Sequence, residues 1–141
     1  MSMVRTGVGM GIVLGLLISV LLWVTTTPAQ AQTAEDIAVC QAKIDTLSEQ
    51  TARATFVGQN AENNLRGLQG KLTSASEKLT EGKYADAIQK LENFKTTVSA
   101  LDEDGKIAPG AEPGDVDAQT LLTGADDAIT CIRGLESSTA A

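Results

Sequence analysis

Apolar residues recur at helical spacing in four separate stretches of the chain. In the first, Ile37, Cys40, Ile44 and Leu47 fall three and four residues apart, which gathers them on one face of a helix. Thr33 is placed to cap that helix, and Glu35 and Asp36 stand in its first turn, where carboxylates suit the helix dipole. From Ser48 to Phe56 the pattern grows more polar, and Gly58 is the expected stop. The second stretch carries Leu65, Leu68, Leu72, Ala75 and Leu79 behind a capping Asn60. Gly67 and Gly70 interrupt it at about 1 kcal/mol each against alanine. A neighbouring helix packed close to them would account for both glycines. Gly82 supplies the left-handed residue that ends it.

The third helix follows at once, with Tyr84, Ile88, Leu91, Phe94, Val98 and Leu101 inward and Lys90, Glu92 and Lys95 outward. Ala85 and Ala87 keep its start slim. So short a link makes the second and third helices antiparallel neighbours. "DEDGKIAPGAEPGD" then reads as a loop, since it holds two prolines and three glycines. Asp115 is placed to cap a fourth helix, with Asp117 in its first turn. Leu121, Leu122, Ala125, Ile129, Ile132 and Leu135 form its stripe, and Cys131 lies beside it. No stripe is wide enough to be buried alone, so the pattern predicts an all-α fold, a small four-helix bundle. The organisation expected is a secretory signal over residues 1–31, an N-terminal helix over 32–59, a bundle over 60–136 with an acidic loop at 102–114, and a flexible polar tail at 137–141.

The N-terminus has its own logic. One basic residue, Arg5, precedes an apolar run from Gly7 to Val24, and Ala29 and Ala31 then stand two apart before Gln32. Basic start, apolar core and small residues are the layout of a secretory signal, with cleavage after Ala31. The run is also long enough to span a bilayer if retained; its glycines and the Ala-x-Ala site favour cleavage. Cys40 does not fit a lipid-attachment site, because bulky Val39 precedes it and it lies well beyond the apolar run.

Charge narrows the partners. The formal net charge is −7, and cleavage removes only Arg5, leaving the mature chain one unit more acidic. With no basic cluster, it repels nucleic-acid backbones and anionic membrane surfaces. The expected partner is a protein or a cell-envelope component, with membrane contact only through an uncleaved N-terminal segment.

The two cysteines, Cys40 and Cys131, sit near opposite ends of the mature chain. Behind a secretory signal they are expected to form a disulfide. Closing a loop with a separation of 91 residues contributes at most about 4–5 kcal/mol in the chain-entropy account. The bridge would clip the first helix to the fourth.

"ASEKLTEGKYADAIQKLENF" resembles one tetratricopeptide hairpin through Ala75, Gly82, Tyr84, Ala87 and Leu91. Such hairpins come in stacks, and neither flanking stretch repeats the pattern. A longer stretch, residues 63–135, is similar to the FIMAH domain, a small helical module of secreted and surface-anchored bacterial proteins. The shared positions are Leu65, Leu68, Leu72, Ala75, Leu79, Gly82, Tyr84, Ala87, Ile88, Leu91, Phe94 and Val98, then Gly105–Lys106–Ile107, then Leu121, Leu122, Ala125 and Ile129. The resemblance implies a compact helical module with an accessory role and brings no catalytic residues. This chain differs in having a cysteine-bearing helix in front and no attached hydrolase.

Candidate chemistry is sparse. In a calcium-loop register Asp102, Asp104, Gly105 and Ile107 fall at positions three, five, six and eight, but Ala100 and Ala111 occupy positions one and twelve, where ligands are needed. An acidic surface turn with Ile107 tucked beneath it is the simpler reading. The chain has no histidine, so no Ser–His or Cys–His pair and no ordinary zinc set can form. The acidic neighbours Asp126–Asp127 and Glu35–Asp36 point apart on a helix. Phe56 and Val57 are either a small contact patch or a cover for the bundle end. The expectation is an exported, non-enzymatic bundle with a binding, scaffolding or accessory role and no catalytic, metal or cofactor site.

Overall fold

The computed structural model describes the backbone of residues 28–139 and the side chains of residues 34–139. Each apolar stripe becomes one helix: α1 (Pro28–Arg53), α2 (Ala61–Thr80), α3 (Tyr84–Glu103) and α4 (Ala118–Thr139). Residues 36–139 fall in one compact unit. Residues 1–27, and the signal reading with them, lie outside the described residues. Ala29, Ala31 and Gln32 fall within α1, with their side chains outside the description.

The four-helix bundle is closed by contacts of different kinds. α3 packs along both α2 and α4. α1 reaches α4 through the Cys40–Cys131 disulfide and α2 through a hydrogen bond from Gln41 Nε2 to Ser76 Oγ at 2.6 Å. The core is aliphatic around one ring. Phe94 is fully buried among Ile44, Leu47, Leu68, Leu72, Leu79, Leu91, Leu121 and Ile132.

α2 ends as its glycine requires. Gly82 has φ +74°, and the amides of Gly82 and Lys83 donate to the carbonyls of Leu79 and Lys78 at 3.0 and 2.9 Å. This paired closure satisfies carbonyls that the helix leaves orphaned. α3 ends in the same way, with Lys106 N donating to Leu101 O and Gly105 N to Asp102 O.

Several boundaries differ from those the sequence suggests. α1 begins at Pro28, not at a Thr33 cap, and has no acidic residue in its first turn. Proline suits a first helical position, and nothing between Pro28 and Asp36 breaks a helix. α1 stops at Arg53, five residues before Gly58. Residues 55–57 leave the helix to lie antiparallel to residues 106–108, with Phe56 opposite Ile107. Val57 N donates to Lys106 O and Ala108 N to Thr55 O, both at 2.9 Å. Asn60 occupies the cap position of α2, but its side chain makes no capping bond.

Asp117, not Asp115, caps α4. Its carboxylate accepts from the Thr120 amide at 2.8 Å and the Thr120 hydroxyl at 2.7 Å. Asp115 instead accepts from the amides of Ala111 and Glu112 and ties the loop. α4 continues through residues 137–139, in place of the start of a flexible tail. The hydroxyls of Ser137 and Ser138 donate back to the carbonyls of Arg133 and Gly134 at 3.0 and 2.9 Å.

The buried face of α3 is the expected one at Leu91, Phe94, Val98 and Leu101 and differs only at the start of the helix. Ala87 is fully buried, while Tyr84 and Ile88 are half-buried at its edge. Gly67 and Gly70 admit no close helix, since a Cβ at either meets nothing within 4 Å. The close approach lies at Gly124, where a Cβ would come within 3.0 Å of Leu47 Cδ1 and Gln50 Oε1.

Candidate functional site

The cysteines are brought together by the geometry of two antiparallel helices. Cys40 belongs to the inward stripe of α1 and is fully buried; Cys131 lies at the edge of the α4 stripe and is half-buried. Their Cα atoms are 5.6 Å apart and the sulfurs are bonded at 2.04 Å. Two turns further along α1, Leu47 meets Gly124, two turns back along α4. The disulfide and this contact therefore set the register of the pair. A disulfide joining two helices of a small domain belongs to an oxidising compartment.

Outside this seam runs a groove between α1 and α4. Its central part is a cleft of about 410 Å³ lined by Val39, Ala42, Lys43 and Thr46 from α1 and by Gly124 and Asp127 from α4. It continues past Gln50 toward Asp117 and Thr120 at one end. At the other it passes Cys131 to reach Gly134 and Ser138. Val39 is 56% exposed and Val57 41%, the two large exposed apolar side chains among the described residues. Phe56, expected beside Val57 as a patch or a cover, packs against the core. The α1–α4 groove is not foreseen by the sequence pattern. Its one linear signal is Val39 beside, and not within, the inward stripe.

Several ionisable groups are paired within the bundle. Glu81 accepts from Lys83 Nζ at 2.8 Å and Lys78 Nζ at 2.9 Å, which hold its pKa down at about 2. Asp117 is lowered by the Thr120 hydroxyl and then by the Thr120 amide. Lys95 pairs with Asp126, and Arg133 with Glu92, between α3 and α4. In the calcium-loop register, Gly105 proves to be the residue that ends α3, Asp104 pairs with Lys106 at 3.5 Å, and Ile107 is buried. Among the described residues no three acidic or cysteine side chains converge as a metal site, and no helix is long and apolar enough to cross a membrane.

No family model, curated protein or solved structure matches the chain.

Proposed function

We propose that the protein is an exported, non-enzymatic helical bundle that acts by surface contact, as a binding, scaffolding or accessory component of the cell envelope or its surroundings. The observation that carries this reading is the Cys40–Cys131 bond, which locks α1 to α4 and is of a kind that persists outside reducing compartments. The sequence before Gln32, laid out as a secretory signal, agrees with it. So does the resemblance of residues 63–135 to an accessory module, a resemblance of packing positions and not of chemistry. A rigid body with a groove and an acidic surface is suited to recognition. Its acidity disfavours nucleic acid and anionic lipid as partners.

Mass spectrometry of the protein recovered from its producing cell tests the proposal. The expected result is an N-terminus at Gln32 and two thiols that alkylate only after reduction. An intact N-terminus would replace it with a protein anchored by the apolar run of residues 7–24. Thiols that alkylate without reductant would remove the disulfide, and with it the observation that carries the reading.

A further inference from the structure

The geometry points to the α1–α4 groove as a self-association surface whose occupant is the same groove of a second copy of this chain. The inference does not rest on the export reading. It rests on the register of the two helices and on the charges at the groove walls.

The Cys40–Cys131 bond and the Leu47–Gly124 contact place α1 and α4 antiparallel and level. Lys43 is three residues past Cys40, and Asp127 is four residues before Cys131. They therefore stand opposite each other across the groove, within one residue step, or about 1.5 Å along the axis. Both line the central cleft, yet neither has an ion-pair partner among the described residues. A twofold axis laid along the groove carries the α1 wall of one copy onto the α4 wall of the other. Lys43 then meets Asp127 of the second copy, and Asp127 meets its Lys43. An isologous interface requires this self-complementarity.

The remaining wall residues agree with that placement. Val39, the large apolar side chain exposed in the groove, is level with Cys131 and Gly134. A side chain at Gly134 would meet nothing within 4 Å, so that wall is hollow where Val39 of the second copy arrives. Asp36 comes opposite Gly134 and Ser138, and Asp117 opposite Ala54, so neither meets a like charge. Covering Val39 removes exposed apolar area from water. The paired charges fix the register and set the partner.

The test uses the oxidised protein at physiological ionic strength, with mass measured by sedimentation over a range of concentrations. The wild type is expected to dimerise. Lys43→Glu sets a second carboxylate against Asp127, and Asp127→Lys sets a second ammonium against Lys43, twice per dimer in each case. Each single variant is expected to weaken association at least tenfold while keeping the wild-type helical signal. An equimolar mixture of the two variants restores an attractive pairing between copies and is expected to form the heterodimer. Val39→Asp is expected to abolish dimers without any charge exchange at 43 or 127. A wild type that stays monomeric overturns the inference. So does a dimer indifferent to the single reversals, or a mixture that fails to recover.

Discussion

Gly124 of α4 lies against Leu47 of α1 so closely that a Cβ at 124 would stand 3.0 Å from Leu47 Cδ1. Alanine there gains helix propensity, about 1 kcal/mol, and loses a comparable amount to crowding, since overpacking costs about 1–3 kcal/mol. At Gly67 or Gly70 a Cβ meets nothing. G67A and G70A are therefore expected to raise the melting temperature by several degrees, and G124A by less or not at all. G124V should lower it. Equal gains from all three alanines would show that α1 and α4 are not in close contact at this point.

Removing the disulfide with the C40A/C131A pair should cost about 2–5 kcal/mol, a large part of the roughly 5–15 kcal/mol typical of a folded domain. Reductant should shift the denaturation midpoint of the wild type to that of the double variant and leave the variant unmoved. A midpoint that ignores reductant would contradict a load on this bond.

Two carboxylates should shape the acid limb of stability by different physics. Both have folded pKa values below their unfolded ones, so each contributes stability that is complete above pH 3.8 for Asp117 and 4.5 for Glu81. Each contribution is lost as pH falls through the lowered value, about 2 for Glu81. Asp117 is held by neutral donors of Thr120, so D117N should flatten the limb at any ionic strength, and D117A should cost about 1 kcal/mol at neutral pH as a lost cap. Glu81 is itself exposed and is held by exposed Lys83 and half-buried Lys78, so E81Q should alter the limb more at low salt than in high salt. Acid titrations of the three variants at two salt concentrations check this.

The crossing of residues 55–57 with 106–108 rests on one buried side chain. Ile107 is 3% exposed and Val57 41%. I107A should cost about 2–5 kcal/mol and open the amides of Val57 and Ala108 to hydrogen exchange. V57A should stay within about 0.5 kcal/mol of wild type. Equal effects would mean that Ile107 is not seated in the core.

Much of the architecture is legible because helix patterning is local. Leu68–Leu72–Ala75–Leu79 and Leu91–Phe94–Val98–Leu101 declare their buried faces by spacing alone, and Gly82 declares its turn because α2 needs a left-handed residue there. The disulfide is legible for a simpler reason: Cys40 and Cys131 are the only cysteines, on inward or near-inward positions of two helices. The cap of α4 lies two residues beyond the one the sequence suggests, because Asp115 and Asp117 have the same chemistry. Only the loop path shows which of them has helix amides within reach.

What the sequence determined by itself was therefore four helices, their inward stripes and the covalent tie. These follow from interactions three or four residues apart and from a unique pair of thiols. The tertiary structure alone decided where α1 stops, which glycine sits at a helix contact and where a groove opens. Arg53 is the end of α1 because Phe56 is drawn to Ile107. Gly124, and not Gly67 or Gly70, is the close approach because Leu47 arrives there. Lys43 and Asp127 face each other because the disulfide sets their level. Each depends on residues some fifty to ninety positions apart meeting in space, and no local periodicity encodes which of them will meet.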